Sequence, residues 1–412
     1  MLLLRLVMGS FKLLCTYGIL VLEMIAQSKV VMSGTHLQQC EFQAVYNFGD
    51  SNSDTGGISA ALSEVTSPNG ETFFGHPAGR FCDGRLIIDF LDKGIQEKKM
   101  ISSKYQLIFS AERVKLPYLS PYLDSVGTDF RHGANFATGG SSIRPGGYSP
   151  FHLGIQISQF IQFKARVTAL YNTRSSSEPG NTPPFKSNLP RPADFPRALY
   201  TFDIGQNDLA YGFQHTTEEQ VIISIPDILS QFSQAVHRLY EEGARIFWVH
   251  NTSPIGCLPY SAIYNSKPGN RDQNGCVKSQ NEVAQEFNKQ LKNTVLELTS
   301  RLLHSAFTYV DVYSAKYQLI STAKSQGFLD PMKFCCGSYY GYHIDCGKKA
   351  IVNGTIYGNP CKIPSKHISW DGIHYSQAAN QWVADKILNG SHSYPSFSVE
   401  EACRHFRNSS MT

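Results

Sequence analysis

Short apolar runs recur along the chain, and longer stretches of mixed polarity separate them. The runs are rich in aromatic and β-branched residues and show almost no polar alternation, which predicts strands that are buried on both faces. There are five of them: FQAVYNF (42–48), ANFAT (134–138), ALYTFDI (198–204), RIFWVHN (245–251) and FTYVDVY (307–313).

The stretches between these runs carry apolar residues at helical spacing. The longest stripe consists of Val283, Phe287, Leu291, Val295, Leu298 and Leu302. A second consists of Phe232, Val236, Leu239 and Tyr240, and Gly243 favours a helix end just after it. Strands that alternate with helices predict an α/β fold with a mostly parallel sheet covered on both faces. The Ser/Pro-rich stretch 172–192 is predicted to be a surface loop within one domain.

The N-terminus has the pattern of a secretory signal peptide. Arg5 and Lys12 precede an apolar stretch at 13–26, which is too short for a membrane span and is interrupted by Glu23. We therefore predict a leader within residues 1–34, secretion and no stable membrane insertion. Four glycosylation sequons agree with secretion, although Pro254 weakens the first: Asn251, Asn353, Asn389 and Asn408.

Charge and cysteine content narrow the possible partners. The net charge of +4 is spread over 412 residues without a Lys/Arg block, which argues against nucleic acid as a partner. Ten cysteines are present, and nine remain without Cys15 of the leader, so most should pair and at least one should stay free. One group of residues could also bind zinc: Cys335, Cys336, Cys346 and Cys361, with His343 among them. Its spacing fits no common zinc-ligand pattern, so we predict disulfides and no metal.

The first apolar run ends in an exposed polar turn, NFGDSNSDTGG (47–57). Ligands of parallel α/β sheets bind beyond the carboxyl ends of the strands, and Ser51 leaves the first predicted strand at that edge. A serine at this place is a candidate nucleophile. It requires a base, which is usually a histidine held by a carboxylate.

Two histidines have an aspartate three residues earlier, and topology distinguishes them. Asp129 and His132 lead into the second predicted strand, which puts them at its amino end, away from Ser51. Asp371 and His374 lie in a glycine-containing loop that opens a helix, so this pair is the candidate base and its carboxylate.

Acyl transfer also requires hydrogen-bond donors for the developing oxyanion. Two further strand exits supply candidates. NFATGGSS contains Gly139 and Gly140, whose backbone N–H groups can approach a substrate closely, and FDIGQNDLAYG contains the amide of Asn207.

These residues together carry a family resemblance. Four blocks, 49–56, 135–140, 205–208 and 371–374, resemble those of the plant GDSL esterase/lipase family within the SGNH hydrolases. The resemblance runs from about 42 to 394 and includes PAGRFCDGRLIIDF and NTSPIGCLP; it is nearest to the early-nodulin-like and acetylesterase branch.

The resemblance implies a three-layer α/β/α sandwich with a flavodoxin-like sheet and a hydrolase domain at 35–397, followed by a tail at 398–412. It implies Ser51 as nucleophile, His374 as base and Asp371 as the carboxylate that orients it. The implied oxyanion donors are the N–H groups of Ser51 and Gly140 and the side chain of Asn207. The substrate would be a small-molecule or glycan acyl ester, in the cell wall or apoplast, and no cofactor would be required.

Two features depart from the family pattern. Cys82 stands where serine is common, which makes it the candidate free thiol, and residues 93–115 form a basic segment where the family has only a few residues. The predicted function is a secreted serine esterase with short-chain preference. Two alternatives stay open: an α-fucosidase-like glycosidase, for which no carboxylate pair is assignable, and a catalytically silent binding protein.

Overall fold

A computed structural model of the chain describes residues 42–90, 118–172, 184–265, 267–339, 343–399 and 401–402. Several predicted features lie outside these residues: the leader (1–34), the segment 93–115, Asn408 and nearly all of the tail. Among the described residues, no helix combines the length and hydropathy that crossing a membrane requires.

Ten strands occur in the described residues: β1 (Val45–Gly49), β2 (Gly133–Asn135), β3 (Leu199–Asp203), β4 (Ile246–His250), β5 (Ala306–Val310), β6 (Ser338–Tyr339), β7 (His343–Ile344), β8 (Ala350–Val352), β9 (Thr355–Tyr357) and β10 (Ser393–Tyr394). Six form the central sheet in the order β10-β5-β4-β3-β1-β2. Strands β1 to β5 are parallel, and β10 pairs antiparallel with β5 at the edge. The order 2-1-3-4-5 is that of flavodoxin-like sheets, which confirms the predicted fold class.

The helices with assigned bounds are α1 (Gly57–Ala61), α2 (Glu71–Phe74), α3 (Leu153–Asn172), α4 (Gln206–His215), α5 (Glu218–Glu241), α6 (Pro259–Tyr264), α7 (Lys278–Arg301), α8 (Val312–Ser321) and α9 (Gln377–Leu388). Helices α3, α5 and α7 share one core with aromatic side chains of the sheet. Residues of β1, β3 and β4 are buried at every position, so both faces of the sheet are covered.

All five predicted strands are present, but they are shorter than the apolar runs. The fifth run extends to residue 313, whereas β5 ends at Val310 because Asp311 caps helix α8 by accepting a hydrogen bond from the Ser314 N–H. The predicted loop 172–192 is also partly wrong, since 184–188 and the stretch from 192 onward form short 3-10 helices. Apolar character alone did not separate a strand from the capped helix that follows it.

Among the described residues three disulfides are formed, Cys257–Cys276, Cys335–Cys361 and Cys336–Cys346. Cys82 is the free cysteine among the described residues, as predicted, and it is buried. His367 Nδ1 lies 3.3 Å from Cys361 Sγ, but that sulfur and its neighbour Cys335 are bonded to each other and offer no thiolate to a metal.

Candidate active site

Ser51 lies in a tight turn directly after β1, at the point where strand order reverses between β1 and β3. The Asp50 carboxylate accepts hydrogen bonds from the backbone and side chain of Asn52, both at 2.9 Å, and Ser53 N–H donates to the Asp50 carbonyl. Gly49 is required before this turn because a β-carbon there would lie 2.7 Å from the backbone carbonyl oxygen of Asp203. These contacts hold Ser51 in place at the carboxyl end of β1.

His374 and Asp371 reach Ser51 from a loop far along the chain. His374 Nε2 lies 2.8 Å from Ser51 Oγ, and His374 Nδ1 lies 2.6 Å from Asp371 Oδ2. Because a carboxylate only accepts, Nδ1 carries the proton and Nε2 is left to accept from the Ser51 hydroxyl. The structure brings these three predicted residues into one hydrogen-bonded chain.

The surroundings of Asp371 favour its charged form. Burial by itself raises the pKa of this carboxyl, but His374 and the N–H groups of His374 and Ile373 outweigh it and hold the pKa below its ordinary value. Phe81 stacks on the His374 ring with centroids 5.1 Å apart. The imidazole is therefore fixed by the carboxylate at one nitrogen and by an aromatic face.

Trp370 anchors the loop that carries this pair. The N–H groups of Cys335 and Cys336 donate to its carbonyl at 2.8 and 2.6 Å, and its indole N–H donates to Asn69 at 2.9 Å. Trp370 N–H in turn donates to the His374 carbonyl at 2.7 Å. Both cysteines are in disulfides, so the loop is attached to a cross-linked segment.

The alternative pair lies at the opposite end of the sheet. The carbonyl of His132 accepts from the N–H of Val45, the first residue of β1, whereas Ser51 follows the last one. Parallel pairing of β1 and β2 therefore puts Asp129 and His132 at the amino edge, as predicted.

The two candidate glycines have different surroundings. Gly139 N–H donates to Asp54 Oδ2 at 2.7 Å, so that donor is already used. Within the described residues, neither Gly140 N–H nor Ser51 N–H has a protein acceptor. Gly140 has φ +76°, which favours glycine. The Asn207 amide donates one hydrogen to the Ser141 carbonyl at 2.9 Å, which ties it to the glycine loop and leaves its second hydrogen available.

A row of tyrosines borders the site, and we call it the tyrosine rim: Tyr211, Tyr148, Tyr260, Tyr264 and Tyr339. Adjacent rings have centroids 5.3 Å apart for Tyr211 and Tyr148, 4.5 Å for Tyr260 and Tyr264, and 5.5 Å for Tyr264 and Tyr339. Burial, followed by the charges of Tyr260 and Tyr211, raises the pKa of Tyr148 to about 12.

The tyrosine rim adjoins both sides of the candidate site. A β-carbon at Gly140 would lie 3.2 Å from that of Tyr148, and Tyr260 N–H donates to the Gly372 carbonyl at 3.0 Å. Sequence reasoning missed the rim and also Phe81. The only sequence signal for the rim was the number of tyrosines in the segments that follow the strands, and Phe81 had none.

The sequons differ sharply in accessibility. Asn251 is buried, its amide donates to Tyr309 and Asp311, and its oxygen accepts from Tyr313 N–H, which makes it a poor glycan acceptor in the folded chain. Asn353 and Asn389 are exposed. The position of Asn251 at the end of a buried run was a sequence signal against modification.

Comparisons with known proteins identify relatives that match most of the chain. The family model described as GDSL-like Lipase/Acylhydrolase matches residues 45–387. A GDSL esterase/lipase of Arabidopsis thaliana is 52% identical over 369 residues, covering 89% of this chain and 92% of the relative. Alpha-L-fucosidase 3 of Arabidopsis thaliana is 47% identical over 371 residues (86% and 92%), and GDSL esterase/lipase ACHE of Zea mays is 45% identical over 380 residues (88% and 89%).

Proposed function

The chain belongs to the family of GDSL-like lipases and acylhydrolases and is a hydrolase that acts on esters; from that premise we propose that it is a secreted serine esterase that forms an acyl-enzyme on Ser51. The observation that carries the proposal is the chain of hydrogen bonds from Ser51 Oγ through His374 to Asp371. Export is supported by three disulfides, which persist in oxidising compartments, and the proposed glycan sites are Asn353 and Asn389, with Asn408 outside the described residues.

The proposed reaction has two steps. Ser51 Oγ attacks the ester carbonyl while His374 Nε2 takes its proton, and the alcohol leaves with that proton. His374 then takes a proton from water, which attacks the acyl-enzyme, and the acid is released as Ser51 recovers its hydrogen. Asp371 holds the imidazole in the required tautomer. The N–H groups of Ser51 and Gly140 and the Asn207 amide are the proposed donors to the oxyanion.

The acyl side of the site supports a short acyl group. Phe81 leaves little room between the glycine loop and the base: its ring lies 2.7 Å from where a β-carbon at Gly139 would be, and it stacks on His374. Ile58 also reaches that glycine, at 3.1 Å. Acetyl fits this space more readily than a long chain.

We expect kcat/KM to fall steadily from acetyl to butyryl to palmitoyl esters of one chromogenic alcohol. In Phe81→Ala the ratio of kcat/KM for the acetyl ester to that for the butyryl ester should fall about ten-fold. Removing the ring frees space for the two extra methylenes of butyryl, each worth about 0.8 kcal/mol when buried. A preference of the wild-type protein for palmitoyl would contradict the short-chain proposal.

The alcohol side of the site supports a sugar. A tyrosine presents an apolar ring together with a hydroxyl, which suits a ligand that has both C–H faces and hydroxyl groups. Three members of the rim are substantially exposed, Tyr148 at 45%, Tyr264 at 40% and Tyr339 at 46%. We therefore propose that the rim binds the sugar units of an acylated glycan.

Tyr264→Ala and Tyr339→Ala should each lower kcat/KM for an acetylated oligosaccharide about five-fold, as loss of a contact worth about 1 kcal/mol predicts. The small chromogenic acetate should be unaffected. Tyr394→Ala is the matched control, since Tyr394 has a similar exposure of 49% but lies in the edge strand β10. Equal losses on both substrates would contradict the proposed sugar contacts.

Three of the four aspartates considered for a glycosidase are held by other groups, and the fourth, Asp50, accepts hydrogen bonds from Asn52 through one oxygen. Asp54 accepts from four backbone N–H groups, Asp208 accepts from Ile143 and Arg144, and Asp371 is bound to His374. A similar protein carries a fucosidase name, so fucose release from an unacylated oligosaccharide should be measured in parallel. Release that survives in Ser51→Ala would overturn the esterase mechanism.

A further inference from the structure

A buried cluster of charged side chains lies beneath the nucleophile turn, and the proposed reaction does not use it. Its members come from four different elements: Asp50 from the turn, Asp203 from the end of β3, His250 from the end of β4 and Lys316 from α8. All four are buried. Buried charges are costly unless they are paired, so this arrangement calls for a physical account.

One backbone hydrogen bond and one close side-chain contact join three members of the cluster. Asp50 N–H donates to the Asp203 carbonyl at 3.2 Å, and His250 Nδ1 lies 3.4 Å from Asp203 Oδ2. Trp248 donates to His250 Nε2 at 3.2 Å, which leaves the proton of a neutral imidazole on Nδ1, facing Asp203.

Lys316 lies on the side of the catalytic loop. Its ammonium donates to Ser253 Oγ at 2.8 Å and lies 4.5 Å from the ring centroid of Tyr375, the residue that follows His374. The charges of Asp203 and Asp50 act on this ammonium, so the cluster extends from the nucleophile turn to the neighbour of the base.

The two carboxyls have different environments. Burial and then the charge of Asp203 raise the pKa of Asp50 to about 7, against the Asn52 hydrogen bonds and the nearby His374, which lower it. Burial also opposes ionisation of Asp203, but His250 and Lys316 outweigh it and hold that pKa below its ordinary value. One oxygen of Asp50, Oδ2, is buried without a hydrogen-bond partner. Asp203 is thus the permanent anion, and Asp50 is the carboxyl whose charge changes near neutrality.

We propose that Asp50 is a positioning residue for His374 and that its carboxylate stabilises the imidazolium formed when Ser51 gives up its proton. Lys316 stabilises the charged form of that carboxylate, and Asp203 destabilises it. The inference rests on the proposed function because it takes His374 as the base. His374 would then operate between two carboxylates, Asp371 in direct contact and Asp50 from beneath.

The experiment is the pH dependence of kcat/KM on a chromogenic acetate in single and double variants. Lys316→Met removes a positive charge, so Asp50 should ionise at higher pH and the acid limb should move up by about one pH unit. Asp203→Asn removes a negative charge and should move the limb down. Asp50→Asn should lower the plateau about ten-fold, and both shifts should be lost in its background.

Two variants control this experiment. Lys316→Arg retains the charge and should restore the wild-type profile, and Asp203→Asn provides an independent test if Lys316→Met does not fold. The proposal would be overturned if Lys316→Met and Asp203→Asn moved the acid limb in the same direction. It would also be overturned if either shift persisted unchanged in the Asp50→Asn background. Fluorophosphonate labelling of Ser51 distinguishes failure of the esterase mechanism from failure of the Asp50 proposal. Absence of labelling in the wild type would reject the esterase mechanism. Labelling together with pH profiles that do not shift in the variants would reject only the role of Asp50.

Discussion

The Ser51→Ala variant should lose ester hydrolysis by up to about 10⁶-fold, because the covalent step has no other nucleophile held by His374. An active-site-directed fluorophosphonate should modify Ser51 in the wild type, with the adduct located by peptide mass spectrometry, and should find no target in the variant. Ser53→Ala is the matched control: it makes the same substitution in the same turn, where Ser53 Oγ accepts from the Asn47 amide, and it should keep the label. An adduct on another serine would refute the assignment.

The second large effect distinguishes the two histidines that have an aspartate three residues earlier. His374→Ala should lower kcat by about 10⁴-fold or more, as loss of a triad member does, because Ser51 then has no group to take its proton. His132→Ala should leave kcat near the wild-type value, since His132 lies at the amino edge of the sheet. Turnover under saturating chromogenic acetate measures both, and the reverse order of effects would mean that the wrong edge of the sheet has been assigned as the site.

The sheet could be predicted from the sequence because each strand is marked by the residues within it. Strands β1, β3 and β4 are buried on both faces, so they appear as continuous apolar runs that need no knowledge of their partners. The candidate site followed from one topological rule, since polar residues after parallel strands meet at one edge. Ser51 and Asn207 follow β1 and β3 in that way, whereas the Asp371–His374 loop follows no strand of the central sheet and leads into helix α9.

The features that were missed depend on contacts between distant segments. Nothing local to Lys316 or His250 indicates that both are buried near Asp203, because a lysine on a helix is ordinarily exposed. The tyrosine rim joins α4, α6 and β6 to the loop after β2, and no periodicity relates these segments. Asn251 shows the converse, since its sequon is local but its burial is set by hydrogen bonds to residues beyond β5.

The attachment of Trp370 to two disulfide-bonded cysteines has a consequence for the timing of activity. The nucleophile turn is built from residues close together in sequence, whereas the loop of the base is held by a segment that Cys335–Cys361 and Cys336–Cys346 cross-link. Before these bonds form, that segment has more conformational freedom, so ordering it around the loop costs more entropy. We expect a chain kept under reducing conditions to be latent, with its serine in place and its base unfixed, and to gain activity when the two disulfides form.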